Sequence, residues 1–184
     1  MSKSIDFFER QFRQQASDAA LALNPFEAQA LPYLHGELLD FGCGMGNLAF
    51  AAARRGCKVT AIDASPTAVE HIRRRAQDEA LPMSAVLADL RQYPIGQDYD
   101  CIVSIGLLMF FDCTTAFAVL ADLQRHVRPG GHAIVNVLIE GTTYQEMFDP
   151  LAHCLFAPTA LLDRFAGWTI VRSEFSDFDA PGHT

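Results

Sequence analysis

The chain of 184 residues is half hydrophobic and carries a formal net charge of −8. That balance fits one globular domain with a substantial core, and it opposes the basic surface that phosphate contacts require, so no nucleic-acid partner is expected. No apolar run reaches a bilayer span and the first ten residues lack a secretory core, so a cytoplasmic protein without membrane contact is expected.

Residues 1–35 read as a helical leading segment, with Phe7, Phe8 and Phe12 clustered and Pro25 and Pro32 punctuating its later part. The segment is either a lid over a site or a helix packing its rings on the core. A strand over 37–42 follows, then a helix from Asn47, read as its N-cap, to Arg55, with Gly56 just past its end. The next strand is 58–63. Ser65 and Pro66 open a helix whose inner face is Val69, Ile72 and Ala76. Pro82 closes that connection, and a third strand covers 84–88. Residues 99–105 form an uninterrupted apolar run, as a parallel strand buried on both faces requires. A helix over 115–127 stops at Arg128-Pro129-Gly130-Gly131, a fifth strand covers 132–139 and a loop fills 140–157. A short helix over 158–165 and a sixth strand over 168–175 complete the series. The alternation predicts a three-layer, doubly wound α/β domain with a mostly parallel sheet and right-handed crossovers, residues 36–184 forming its body.

Chemistry concentrates in Leu38-Leu39-Asp40-Phe41-Gly42-Cys43-Gly44-Met45-Gly46, and in Val59-Thr60-Ala61-Ile62-Asp63. Each apolar run ends in an acid, and the first opens into alternating glycines. A strand, a glycine loop and a second strand carrying a carboxylate make a cofactor crevice. Glycine spacing alone admits a dinucleotide, because Gly44-x-Gly46-x-x-Ala49 also fits that pattern. Asp40 tilts the reading towards a cationic cofactor. A carboxylate ahead of the loop repels a pyrophosphate seated on backbone amides. It attracts the ammonium of S-adenosylmethionine (SAM), and such a charged hydrogen bond contributes roughly 1.5–3 kcal/mol.

Ligands of such folds sit outside the carboxyl ends of the strands. The expected cofactor-binding residues are therefore Asp40, Phe41, Gly42, Cys43, Gly44 and Gly46; Asp63 and Ala64; Ala88, Asp89 and Leu90; and Ile105 and Gly106. Asp63 is expected to accept from the ribose hydroxyls. Asp89 either accepts from the adenine amino group or caps a turn. Met109, Phe110 and Phe111 either shape an apolar acceptor cavity or belong to the core. Arg73-Arg74-Arg75 reads as a solvated helix face.

The run Leu39-Asp-Phe-Gly-Cys-Gly-Met-Gly46 resembles the first motif of the seven-stranded SAM-dependent methyltransferases, and the later segments follow that family's order from about residue 36 to 175. More narrowly, Ala61-Ile-Asp-Ala-Ser-Pro-Thr-Ala, Tyr99-Asp-Cys-Ile-Val-Ser-Ile-Gly-Leu-Leu-Met-Phe-Phe and Val127-Arg-Pro-Gly-Gly resemble the tellurite-resistance methyltransferases. The resemblance implies SAM as methyl donor, S-adenosylhomocysteine (SAH) as product, and a small acceptor such as a tellurium or selenium oxyanion or a thiol. It favours the adenine role for Asp89 and offers His183 as a base or orienting group. Family members that methylate exocyclic base amines carry a proline motif where this chain reads Ser104-Ile105-Gly106-Leu107, which again disfavours nucleic acid. A nicotinamide-dependent oxidoreductase and a non-catalytic SAM-binding module stay as alternatives.

The family's seventh, antiparallel strand has no counterpart in Asp179-Ala180-Pro181-Gly182-His183-Thr184. Truncation, or completion of the edge by a second copy, accounts for this, so a monomer or homodimer is expected. Cys43, Cys57, Cys101, Cys113 and Cys154 are odd in number and lack C-x-x-C spacing. They are expected to be reduced, without disulfide or metal, with Cys43 and Cys101 packing. His153 and Cys154 are either plain loop residues or close to a soft acceptor.

Overall fold

The structure, a computed structural model, describes residues 3–15, 22–143 and 145–177. Two helices lead, α1 (Lys3–Gln15) and α2 (Pro25–Ala30), the second running into a tight turn at Leu31–Tyr33. Then come β1 (Glu37–Phe41), α3 (Asn47–Arg54), β2 (Lys58–Asp63), α4 (Pro66–Asp78) and β3 (Met83–Leu87). The chain continues through β4 (Tyr99–Ile105), α5 (Cys113–Arg125), β5 (Val127–Asn136) and the short α6 (Ala160–Arg164). The five strands are parallel in the order β3-β2-β1-β4-β5. The chain order reverses between β1 and β4, where α/β sheets of this kind hold their ligands. No helix among the described residues is long and apolar enough to cross a membrane.

Strand periodicity divides the core into two layers. Leu38, Val59, Ala61, Cys101 and Val103 face Leu48, Ala49 and Ala52 of α3 and Val69, Ile72 and Ala76 of α4. Their sequence neighbours Leu39, Phe41, Ile62 and Ile102 face Ala116, Val119, Leu120 and Leu123 of α5 on the other side. Each of these large side chains, once buried, contributes about 1.5–3 kcal/mol. A shift of one residue in any strand would exchange the two faces, and that pins the strand ends where the site is built.

Local chemistry sets the element ends. Ser65 caps α4 by accepting the Ala68 amide at 3.1 Å, with Pro66 at the first turn. The start of α3 departs from expectation. Gly46, not Asn47, is the cap, in a left-handed conformation (φ 79°), while the Asn47 side-chain amide reaches back to the Ala22 carbonyl at 3.3 Å. The Asn24 side chain and Glu27 cap α2 reciprocally, each bonding the other's backbone amide.

Two further expectations are corrected. The sixth strand over 168–175 does not form. Cavities of about 240 and 420 Å³ lie between β5 and residues 168–177. The segment runs beside the sheet edge without pairing to any strand among the described residues, and Ile170, Val171 and Phe175 stay exposed. The alternating pattern is present; a partner strand is not found among the described residues. The cysteines are not all reduced, because Cys113 and Cys154 form a disulfide across a sequence separation of 41. Folding of the 140–157 loop brings Cys154 to the start of α5, where its amide donates to the Met109 carbonyl at 3.0 Å. Spacing along the chain gives no sign of this meeting.

Candidate active site

A cavity of about 690 Å³ opens at the carboxyl ends of β1, β2, β3 and β4, within the size range of small-molecule sites. Most predicted cofactor residues form its wall: Asp40, Gly42, Cys43, Gly44, Asp63, Ala64, Asp89, Leu90, Ile105 and Gly106. Three do not. Phe41 points the opposite way along β1 into the α5-side core, its ring 6.3 Å from that of Tyr93. Gly46 faces α4, where an added Cβ would lie 2.9 Å from the Ile72 side chain, so its glycine serves helix packing. Ala88 lies outside the wall, its amide donating to the Asp63 carbonyl at 3.1 Å. His183 lies outside the described residues.

Asp40 is the electrostatic centre of the cavity. It is 5% exposed, and its carboxyl accepts no hydrogen bond from any described residue. Burial, and then the charges of Glu27 and Asp63, push its pKa from 3.8 up to about 8. A buried carboxyl left this way calls for a cation or a donor group. Asp63 shows the contrary arrangement. Its Oδ2 accepts the Gly44 amide at 2.8 Å and its Oδ1 the Ser65 amide at 2.8 Å, so it ties the glycine loop to the start of α4. Burial still raises its pKa, and those amides pull the other way. The Cys43 thiol is pushed well above its ordinary value by burial and by the two neighbouring acids, which keeps it protonated.

Asp89 performs its turn role, accepting the Arg91 amide at 3.1 Å and pairing with that guanidinium at 2.7 Å. The hydrogen bond from the Arg91 side chain holds its pKa below the usual carboxylate range. It also remains on the cavity wall, so both readings of Asp89 are compatible in space. Met109 and Phe111 are likewise core residues and wall residues together. His153 and Cys154 are loop residues: His153 stacks on Phe148 at 5.2 Å, and the Cys154 sulfur is consumed by the disulfide.

The leading segment forms the roof. Ser4, Ile5, Phe8, Gln11 and Phe12 of α1 line the cavity. The Phe8 ring meets Phe110 edge-on at 5.0 Å, and Glu9 binds the Ser65 and Thr67 hydroxyls at the start of α4. The sequence reading missed Glu27, Arg91, Asn136, Met147 and Asp149, all on the wall. Only Glu27 carried a legible signal, the capping-box spacing from Asn24. Among the described wall residues, Glu27, Asp40, Asp63, Asp89, Asp112 and Asp149 face a single cationic side chain, Arg91, itself paired with Asp89.

Known proteins resemble this chain in sequence and in fold. The family profile of methyltransferase domains matches residues 38–131. A probable S-adenosyl-L-methionine-dependent methyltransferase TehB of Haemophilus influenzae is 24% identical over 172 residues, covering 90% of this chain and 56% of that protein. Hemagglutinin 1 of Eikenella corrodens is 30% identical over 140 residues, or 74% of this chain and 45% of that protein. The chain thus spans about half the length of the curated relatives it matches. The crystal structure of TehB from Haemophilus influenzae superposes with a TM-score of 0.71 at 21% identity, covering 92% of this chain and 57% of that one. A structure described by the conversion of a disulfide bond into a thioacetal group during echinomycin biosynthesis superposes with a TM-score of 0.67 at 26% identity, covering 91% and 80%.

Proposed function

The chain belongs to the SAM-dependent methyltransferases through its methyltransferase domain, and on that premise we propose that the cavity at the sheet's carboxyl end transfers a methyl group to a small acceptor. The observation that carries the reading is Asp40, buried and without a hydrogen-bond donor among the described residues, at the mouth of the glycine loop. It fits the ammonium of the methionine moiety, for which the carboxyl gives up its proton; the family match, rather than charge repulsion, sets aside the nicotinamide alternative. Asp63 would receive the ribose hydroxyls, and Asp89 with Leu90 would flank the adenine. SAM, when bound, supplies an electrophilic methyl on a sulfonium. The chain's share of the work is positioning, worth up to roughly 7–11 kcal/mol when nucleophile and leaving group are held in line. Helix α1 acts as a lid, its phenylalanines excluding water above the glycine loop.

Among the acceptors the sequence left open, the wall favours a thiol over a tellurium or selenium oxyanion. Each ionised carboxylate about 8 Å from an anion opposes it by about 2 kcal/mol at an effective dielectric near 20, and the guanidinium of Arg91, the one among the described wall residues, is already engaged. Met109, Phe110 and Met147 offer a soft, apolar surface. The structural relative described by conversion of a disulfide into a thioacetal is consistent with sulfur as the acceptor atom. In that reaction the thiol sulfur bonds the methyl carbon, the donor's carbon–sulfur bond breaks, and the thiol proton passes to solvent.

Calorimetric titration with SAH is expected to show one site per chain, weakened more than tenfold by Asp63→Ala. Incubation with SAM and a panel of small thiols is expected to release SAH. Absence of heat at millimolar SAH overturns the cofactor assignment. Binding without turnover on any thiol, oxyanion or amine makes the domain a SAM-binding module instead.

A further inference from the structure

At the opposite pole of the sheet, three potential metal ligands converge from three separate elements. Cys101 lies near the start of β4 and is fully buried. His132 of β5 is its register partner, so the two side chains stand on the same face of neighbouring strands. His35, from the turn before β1, closes the group, and one donor atom from each of the three lies within 4.8 Å of the others. The imidazole rings of His35 and His132 are 5.5 Å apart and nearly perpendicular.

The turn is built to hold His35 there. Gly36 adopts φ +62°, and a Cβ on it would lie 2.1 Å from the Asp100 carboxylate. That carboxylate instead accepts the Glu37 amide at 2.7 Å and pairs with Arg128 at 3.0 Å. The His35 amide donates to the Cys101 sulfur at 3.4 Å, so the loop backbone is already fastened to the thiol. Against these satisfied groups one atom stands out. The Nδ1 of His132 is buried and has no hydrogen-bond partner among the described residues. A buried ring nitrogen left this way costs about 1–3 kcal/mol, and a metal ion supplies the partner it lacks.

We propose that His35, Cys101 and His132 form a zinc site that clips the segment before β1 to the edge strand β5. Two imidazoles and a thiolate are a donor set suited to zinc rather than to calcium or magnesium, which take oxygen ligands. Zinc bond lengths place tetrahedral donor atoms about 3.4–3.6 Å apart. The observed donors lie within 4.8 Å of one another, so binding requires the group to tighten, and His35 is an exposed side chain on a loop. Binding displaces the thiol proton of Cys101, and solvent takes the fourth position. The proposal does not depend on the methyltransferase reading, because the site lies at the amino ends of the strands.

The test uses the full chain, freed of metal with a chelator and titrated anaerobically with Co²⁺. One equivalent is expected to produce a thiolate-to-cobalt charge-transfer band that Zn²⁺ bleaches. The band is expected to vanish in Cys101→Ser and to persist in Cys43→Ser and Cys57→Ser. His35→Ala keeps the test decisive if the buried cysteine variant fails to fold. It removes an exposed ligand, so Co²⁺ affinity should drop at least tenfold while the circular dichroism and SAH titration match the parent chain. No band in the parent chain, or a band of undiminished affinity in His35→Ala, overturns the proposal.

Discussion

Replacing Asp40 by Asn is expected to stabilise the empty protein and to weaken SAH binding, two effects of opposite sign from one small substitution. The folded pKa of about 8 lies above the ordinary carboxylate value of 3.8, because burial first, and Glu27 and Asp63 after it, disfavour the charge. The folded state therefore holds this proton more tightly than the unfolded chain. Stability from the group is complete below pH 3.8 and is withdrawn as pH rises toward about 8. At about 1.4 kcal/mol per pH unit, the loss at pH 7 is on the order of 4 kcal/mol. Asparagine stays neutral, but its own buried amide costs about 1–3 kcal/mol, leaving a net gain of about 1–3 kcal/mol. For a chain of this size that raises the melting temperature by roughly 2–4 °C per kcal/mol. Binding runs the other way. A ligand ammonium requires the carboxylate, so below pH 8 the parent protein must release a proton to bind. SAH affinity should fall about tenfold per pH unit between pH 7.5 and 5.5 through this group. In Asp40→Asn the slope should lose close to one proton and affinity should drop at pH 7.5. Titration calorimetry in buffers of different ionisation enthalpy counts the protons, and thermal unfolding gives the stability. A destabilised variant, or one binding SAH as tightly as the parent with unchanged proton release, refutes the reasoning.

Cys113→Ser opens a closure across a sequence separation of 41, which in the chain-entropy account costs about 4 kcal/mol; the melting temperature should fall by roughly 8–16 °C. Adding reductant to the parent protein should reproduce that fall, and a melting curve indifferent to both would show that the bond does not form. Gly42→Ala places a Cβ 2.8 Å from the Leu107 side chain at φ +84°, so urea denaturation should reveal a loss of about 1–3 kcal/mol. SAH affinity should weaken with it, since Leu107 and Gly42 share the cavity wall; unaltered stability would mean that the loop is not held in this conformation.

What was legible in the sequence were features that repeat or that sit at element ends. The alternation in Leu38-Leu39-Asp40-Phe41 assigns each residue to a face of the sheet, and the acids at the ends of β1 and β2 then meet in one crevice. The same alternation explains the misplacement of Phe41, since a neighbour of Asp40 on a strand must point the other way. Gly46 fails for a related reason: a glycine marks close approach without saying whether ligand or helix approaches, and here it is Ile72. The disulfide and the His35–Cys101–His132 cluster escaped because their partners are separated by dozens of residues and meet only after the sheet has formed. Residues 168–175 teach the complementary point. Trp168 and Ile170 have the alternation and apolarity of a strand, yet a strand is a relation between two chains of hydrogen-bonding groups. With no strand among the described residues paired to them, those residues keep a strand's composition without its structure. The edge of β5 is thus the part of this fold whose state its own local sequence does not determine.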